Sequence, residues 1–139
     1  MQLFLAKPSD AAPIAAFLTG CTGKKWDEML MQNDVADKTQ YCVKQNDAII
    51  AVFNIKSLGN NTRLLYRLYV AESLRGRGVG SSILKVCCKR ADASGSPVYA
   101  ECPQRDDNLL HFLSKNGFKQ ISSYTDKETV VAVCGYLPG

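Results

Sequence analysis

Residues 64–81 read LLYRLYVAESLRGRGVGS. Residues 64–70 are rich in leucine and tyrosine, which predicts a β-strand. After a short turn, Gly76, Gly78 and Gly80 lead into a helical pattern. Glycine lets a backbone approach a phosphate closely, and a helix N-terminus adds partial positive charge at the same place. The stretch therefore predicts a strand, a binding loop for a phosphate-bearing ligand, and a helix.

Two arginines, Arg75 and Arg77, lie within this loop. Because guanidinium groups form charge-assisted hydrogen bonds with phosphate oxygens, we expect the diphosphate of a nucleotide-type cofactor. Two other interpretations stay open: a simple tight turn, or a dinucleotide site with Glu101 about twenty residues further on. The dinucleotide pattern needs a third glycine where the chain has Ser81, and its loop should begin directly after the strand.

The length and composition are those of one ordinary globular domain. The chain has 139 residues, of which 46% are hydrophobic and 22% charged, so we expect one domain over residues 1–139. No stretch approaches the roughly eighteen apolar residues of a membrane-spanning helix, and the N-terminus lacks a signal-peptide pattern. The sequence thus predicts a cytoplasmic protein with no membrane partner.

The cysteine and charge patterns argue against a metal-binding protein and a nucleic-acid-binding protein. The chain has 6 cysteines and 1 histidine but no Cys-x-x-Cys pair, so no metal site is expected. Cys42, Cys87 and Cys134 lie among apolar residues and are predicted to be small, reduced core residues. The net charge is +4, and the lysines and arginines are scattered, which predicts no dedicated nucleic-acid surface. The oligomeric state is left open.

Hydrophobic periodicity and turn residues predict an α+β fold with elements in the order β-α-α-β-β-β-α-β-α-β-β. The predicted strands are residues 2–7, 40–45, 48–57, 62–70, 98–101, 118–123 and 129–137. Asn46-Asp47 and residues 58–61 are predicted turns. Four helices are predicted. The first follows residues 8–10, carries Ile14, Phe17 and Leu18 and is closed by Gly20. The second spans residues 26–33, with apolar Trp26, Met29 and Leu30, and the last two span residues 79–93 and 106–116.

In the last two helices, we expect Val79, Ile83, Leu84, Val86 and Cys87 and then Leu109, Leu110, Phe112 and Leu113 to form the apolar faces. Gly117 stands where a left-handed helix cap belongs. The single histidine, His111, is expected to be a surface or packing residue of the last helix.

Residues 75–80, which we call the glycine loop, and their flanks resemble the GNAT family of N-acetyltransferases. The coenzyme A loop of that family follows the pattern Gln/Arg-x-x-Gly-x-Gly/Ala, which Arg75, Gly78 and Gly80 match. Residues 70–74 resemble the family's exit from its fourth strand, and residues 112–118 resemble its late helix ending in Gly-Phe. The element order agrees throughout. The resemblance implies a mixed, mostly antiparallel sheet flanked by helices.

The resemblance also implies a function. It implies transfer of an acetyl or other short acyl group from acetyl-CoA to a primary amine by direct attack, without metal. The acceptor would be an amine-bearing small molecule or a polypeptide. In the family, backbone groups near the end of the fourth strand hold the acyl carbonyl, where an N–H can stabilise a developing oxyanion. The implied cofactor-binding residues are Leu68, Tyr69, Val70, Arg75, Gly76, Arg77, Gly78, Val79, Gly80 and Ser81.

Two catalytic positions of the family are not matched. The tyrosine that many members use as general acid falls at Leu113, and the glutamate of histone-modifying members falls near Leu64. A thiol of pKa about 8.5 leaves with little help, whereas an amine of pKa about 10.4 needs a base. The candidate bases are Tyr66, on the strand face of Leu64 by two-residue periodicity, and Glu101, at the end of the fifth predicted strand.

The mismatch at Leu113 keeps a second function open, a catalytically weak or inactive acyl-CoA-binding module that regulates or binds a partner. The acceptor site has no sequence motif. Tyr124 and Tyr136, near the closing hairpin, could line it.

Overall fold

The computed structural model describes residues 2–138 of the chain. The strands are β1 (Gln2–Leu5), β2 (Gln40–Gln45), β3 (Ala48–Gly59), β4 (Thr62–Val70), β5 (Val98–Pro103), β6 (Lys119–Asp126) and β7 (Thr129–Tyr136). The helices are α1 (Ala11–Thr22), α2 (Glu28–Ala36), α3 (Val79–Ser94) and α4 (Asp107–Lys115). Single 3-10 turns lie at Pro8–Asp10 and Glu72–Leu74.

The strands described between residues 2 and 138 form one sheet in the order β1-β2-β3-β4-β5-β7-β6. β4 and β5 pair in parallel, from Arg63 opposite Val98 to Leu65 opposite Ala100. The pairs β1–β2, β2–β3, β5–β7 and β6–β7 are antiparallel. The predicted α+β class, its mixed and mostly antiparallel sheet and its element order are confirmed.

The chain divides into two compact units, and β4 passes through both. The first unit comprises Met1–Ile55 and Arg67–Gly80. Apolar residues at helical spacing in α1 and α2 are buried in a cluster that includes residues of β2 and β3, because each helix has one apolar face. The buried members of the cluster are Ala6, Ala11, Ile14, Ala15, Leu18, Met31, Val35, Cys42 and Val52.

The second unit comprises Lys56–Tyr66 and Ser81–Gly139. One face of β5 is buried at every second residue, at Val98, Ala100 and Cys102, as the two-residue period of a strand requires. Tyr99 and Glu101 therefore belong to the opposite face. The other buried residues of this unit include Leu65, Ile83, Leu84, Cys87, Ala91, Leu113, Phe118, Ala132 and Cys134.

The predicted turn at Asn46-Asp47 is confirmed in its backbone angles, whereas the turn predicted at residues 58–61 is confined to Asn60 and Asn61, because β3 continues to Gly59. Asn46 and Asp47 have φ of 52° and 65°, and Asn60 and Asn61 have φ of 53° and 63°. These left-handed pairs suit tight hairpins, since their twist matches that of the flanking strands. Gly117 has φ 91° and follows α4 as predicted.

The predicted end of the first helix is wrong. α1 continues past Gly20 to Thr22, and Gly23, with φ 73°, is the residue that caps it. The Thr22 hydroxyl donates to the Leu18 carbonyl at 2.8 Å, a hydrogen bond within the last turn. A glycine can be accommodated inside a helix at a modest cost, so the first glycine of the segment does not mark its end.

The second helix is shifted from the predicted residues 26–33. Its N-cap is Asp27, whose carboxylate accepts from the Met29 N–H at 2.7 Å, so Trp26 precedes the helix. Met29 and Leu30 are 73% and 62% exposed, whereas Met31 and Val35 are buried. Met29 and Leu30 therefore lie on the exposed face of α2, and Met31 and Val35 form its buried face.

The buried apolar faces of α3 and α4 include fewer residues than predicted. In α3, Val86 is 36% exposed, while Ile83, Leu84 and Cys87 are buried. In α4, Leu113 is the buried residue, and Leu109, Leu110 and Phe112 are half-buried. Within residues 2–138, no helix is long and apolar enough to cross a membrane.

Candidate active site

The glycine loop is separated from the end of β4 by Ala71 and the 3-10 turn Glu72–Leu74. The Ala71 N–H donates to the Ile50 carbonyl at 2.8 Å, which fixes the strand end. The Leu74 N–H donates to the Ala71 carbonyl at 2.9 Å, and the Arg77 N–H donates to the Leu74 carbonyl at 3.3 Å. The loop is therefore a series of tight turns between β4 and α3.

Two of the loop glycines have backbone angles that disfavour other residues. Gly76 and Gly78 have φ of 79° and 85°. A Cβ atom built at either position would meet nothing within 4 Å, so protein does not fill the space in front of them. Glycine is required here by its backbone angle, and the open space lets a ligand approach the main chain.

The loop ends at the N-terminus of α3, which begins at Val79. The first N–H groups of a helix point outward along its axis and carry partial positive charge. Arg75 and Arg77 are exposed beside them. The unfilled space in front of Gly76 and Gly78, the helix N-terminus and the two guanidinium groups together fit the diphosphate of coenzyme A.

Arg75 also contacts its surroundings. Its Nε donates to the Val70 carbonyl at 3.3 Å, which links the loop to the last residue of β4. Burial raises the pKa of the nearby Cys21 thiol, while the positive charge and hydrogen bond of Arg75 oppose that change. The sequence did not predict this contact between α1 and the loop.

The predicted acyl-binding residues Leu68, Tyr69 and Val70 form the end of β4 and are half-buried. Tyr69 packs against the buried cluster of α1 and α2. The residue before them, Arg67, has φ 53° inside the strand. A left-handed residue interrupts the regular alternation of a strand, so Arg67 changes the direction of the chain just before these three residues.

A groove lies on the face of β5 that carries Tyr99 and Glu101. Its volume is about 400 Å³, the size of a small-molecule site. We call it the β5 groove. It is lined by Leu58, Leu64, Tyr99, Glu101, Ile121, Tyr124 and Val133.

Glu101 and Tyr124 form a hydrogen-bonded pair in this groove. The Tyr124 hydroxyl donates to Glu101 Oε2. This bond to a carboxylate raises the pKa of Tyr124 above its ordinary value of 10.0. The pair leaves Glu101 half-buried with its other oxygen available to a second donor.

The two predicted candidate bases, Tyr66 and Glu101, lie on neighbouring strands, but only Glu101 lines the β5 groove. The β4–β5 pairs end at Leu65 opposite Ala100, so Tyr66 and Glu101 are the next residue of each strand. Glu101 lines the β5 groove, whereas Tyr66 is half-buried and is not among its lining residues. Of the two hairpin tyrosines, Tyr124 lines the groove, and the Tyr136 hydroxyl donates to Asp92 Oδ1 at 2.8 Å.

Leu64 and Leu113, the two positions where this chain lacks the catalytic residue of the family, lie in different surroundings. Leu64 lines the β5 groove. Leu113 is 3% exposed, inside the second unit. His111 is exposed on α4, in keeping with the expected surface position.

The chain resembles known acetyltransferases in sequence and in fold. The sequence model of the acetyltransferase (GNAT) family matches residues 12–118. A search of curated protein sequences finds no match. Among solved structures, an acetyltransferase of the GNAT family from Streptococcus pneumoniae is 20% identical, with a TM-score of 0.77 and 99% of each chain covered.

Two further solved structures have a similar fold. The ribosomal-protein-S18-alanine N-acetyltransferase from Escherichia coli is 11% identical, with a TM-score of 0.80 over 98% of this chain and 92% of that one. An aminoglycoside 6'-N-acetyltransferase complexed with coenzyme A is 11% identical, with a TM-score of 0.80 over 99% and 97%. At such identities the likeness concerns the fold, and the family match covers most of the sequence. The chain therefore belongs to the acetyltransferase (GNAT) family, the acetyl-CoA-dependent N-acetyltransferases.

Proposed function

We propose that this chain transfers an acetyl or short acyl group from acetyl-CoA to a primary amine by direct attack, and that Glu101 accepts the proton of the amine. The observation that carries the proposal is the Glu101–Tyr124 pair in the β5 groove. A carboxylate that is half-buried, held by one hydrogen bond and open on its other oxygen is suited to receive an ammonium proton.

Residues 75–81 would hold the coenzyme A diphosphate, and the backbone of Leu68, Tyr69 and Val70 would receive the acyl carbonyl. Acetyl-CoA, when bound, supplies an acetyl thioester whose carbonyl carbon takes the amine nitrogen while the C–S bond breaks. The positive φ of Gly76 and Gly78 supports the first assignment. The half-buried strand end after Arg67 supports the second, since a bent strand can turn an N–H away from its neighbour.

The proton balance identifies what this chain must do. An ammonium group and acetyl-CoA become an amide, a thiol and one free proton. Glu101 takes a proton from the ammonium before attack and returns it to solvent. The second nitrogen proton passes to the departing thiolate, for which a pKa of about 8.5 requires little assistance. Leu113, in place of an acid, is compatible with this chemistry.

The experiment is a thiol-release assay with acetyl-CoA and a panel of primary amines, with the acetylated product identified by mass. Glu101→Gln keeps the shape and removes the base, so kcat should fall by about 10²–10⁴-fold. Glu128→Gln, at an exposed residue of the β6–β7 turn, is the matched control and should leave kcat unchanged. Equal turnover in both variants would rule out Glu101 as the proton acceptor.

A second function, an acyl-CoA-binding module without turnover, is favoured by one observation. Leu113 is buried and apolar where many relatives have a tyrosine acid. The same assay separates the two functions, because the module would bind acetyl-CoA and release no thiol with any amine.

A further inference from the structure

We propose that the acceptor is a small primary amine with an aromatic or branched apolar body one to three bonds from the nitrogen, bound in the β5 groove. The proposal rests on the proposed function and names the substrate class of the same site. Three features of the groove support it: its single charge, its apolar walls and the position of the Tyr99 ring.

The charge at one end of the groove fits an ammonium group. Glu101 is the one acidic residue among the seven that line it, and no lysine or arginine is among them. Tyr124 occupies one carboxylate oxygen, which leaves the other for a single cation. Ion pairing is stronger beside apolar walls than in open water, so an ammonium group is favoured at this position.

The remaining lining is apolar. Leu58, Leu64, Ile121 and Val133 contribute only hydrocarbon side chains. Leu58 and Ile121 are 49% and 50% exposed, which leaves apolar area in the groove for a ligand to cover. The apolar body of an amine would remove this surface from water.

The lining also disfavours other amines. Polar side-chain groups in the groove belong to Glu101, Tyr124 and Tyr99, and the first two bond each other. A polyamine would place a second cation without a carboxylate, and a polyhydroxylated amine would lose hydrogen bonds to water without replacement. A peptide would meet the same deficit for its backbone groups.

The Tyr99 ring forms one wall of the groove. Tyr99 and Gly135 are opposite each other in the β5–β7 ladder. A Cβ atom at Gly135 would lie 3.0 Å from two Tyr99 ring carbons, closer than carbon atoms normally approach. The ring therefore lies directly over the glycine, and Gly135→Ala should push it outward and make the groove shallower.

Two measurements with 2-phenylethylamine, ethylamine and spermidine test the proposal. The first is kcat/KM from thiol release with acetyl-CoA, and the second is binding of each amine to the protein alone by calorimetry. We expect 2-phenylethylamine to exceed ethylamine and spermidine by at least about tenfold in both, since apolar pockets discriminate by this much per small group.

Three variants locate the effect. Ile121→Asn and Gly135→Ala should each reduce the preference for 2-phenylethylamine over ethylamine by about tenfold. Val130→Asn is the control for Ile121→Asn, because Val130 is a similarly exposed apolar residue of the same hairpin, 43% accessible on β7, but does not line the groove. Should Gly135→Ala not fold, Ile121→Asn decides alone.

The outcomes separate the two proposals. A preference for spermidine or ethylamine, or an unchanged preference in Ile121→Asn, overturns the substrate class while acetyl transfer stands. Selective binding of 2-phenylethylamine that Ile121→Asn abolishes, without thiol release from any amine, supports the groove as an amine site and overturns the proposed function.

Discussion

The guanidinium of Arg67 donates a 2.7 Å hydrogen bond to Asp34 Oδ2, which joins the middle of β4 to α2. The same guanidinium lies 4.8 Å from the centroid of the Trp26 ring. The Trp26 indole N–H in turn donates to the Thr22 hydroxyl at 3.1 Å. These contacts hold an arginine whose φ of 53° is strained for any residue with a Cβ atom.

In a strand, alanine is usually more stabilising than glycine, and substitutions at Arg67 should reverse this order of stability. Both Arg67→Ala and Arg67→Gly lose the ion pair and the aromatic contact, at a cost of about 1–2 kcal/mol in the free energy of unfolding. Glycine relieves the left-handed strain, so Arg67→Gly should be more stable than Arg67→Ala by about 1 kcal/mol.

Urea unfolding of both variants measures the difference. At Arg63, also on β4 but without a positive φ, the usual order should hold, with Arg63→Ala the more stable. Equal or greater stability of Arg67→Ala would show that the arginine does not strain the strand.

Asp10 should make the stability of the chain sensitive to acid. Burial raises the pKa of Asp10, but hydrogen bonds from the Lys7 N–H at 2.9 Å and the Lys44 ammonium at 3.0 Å outweigh it, so the pKa lies below the ordinary 3.8. A lowered carboxyl pKa contributes stability that is present above pH 3.8 and is lost as the pH falls through the folded-state value.

Asp10→Asn should therefore destabilise the chain by about 1–3 kcal/mol at pH 7. The difference from wild type should shrink as the pH falls below 3.8. Thermal unfolding between pH 7 and pH 2.5 measures it. A difference that is constant over this range would mean that the charge of Asp10 contributes nothing.

The cysteines should react with iodoacetamide in two groups. Burial raises the pKa of Cys42, Cys87 and Cys102 to about 11, so only about one thiol in a thousand is ionised at pH 8. Cys134 is also buried, with its pKa raised by burial, and belongs to the same slow group. Cys21 and Cys88 are half-buried and should be labelled first. Mass spectrometry of the native protein checks the order, with labelling in denaturant as the control. Early labelling of Cys42 would contradict its burial.

Leu113→Tyr should destabilise the protein by about 1–3 kcal/mol, because a larger ring and a hydroxyl must enter a buried position. Leu109→Tyr, at a half-buried position of the same helix, should cost less. Thermal unfolding and thiol release are measured together. Unchanged stability with faster turnover would instead place the tyrosine hydroxyl at the leaving thiol.

Much of the fold is predictable because its signals are local. The glycine loop, the Asn46-Asp47 turn and the cap at Gly117 each depend on backbone angles that few residue types adopt. The predicted start of α2 at Trp26 is wrong because it relied on the apolar residues Trp26, Met29 and Leu30, whereas the helix begins after the N-cap Asp27. That residues 1–139 form one domain stays a prediction.

The candidate site is only partly predictable for a related reason. Glu101 follows from the alternation of one strand, although β5 continues past the predicted end at Glu101 to Pro103. The loop follows from its glycines. The β5 groove combines residues of β3, β4, β5, β6 and β7, so its lining depends on strand register, which single-sequence patterns do not determine. Arg67 has no sequence signal at all, since arginine rarely adopts a positive φ.

The central claim, that acetyl-CoA binds at the glycine loop, is tested most directly by the unfolding free energy with and without acetyl-CoA in three proteins. Gly78→Glu places a bulky negative side chain in front of the loop, while Gly95→Glu introduces similar strain, at φ 68° against 85°, just after the end of α3. We predict that acetyl-CoA at a hundredfold excess over its Kd stabilises wild type and Gly95→Glu by about 2.7 kcal/mol and leaves Gly78→Glu unchanged. Equal stabilisation of Gly78→Glu would place the cofactor elsewhere and contradict the account.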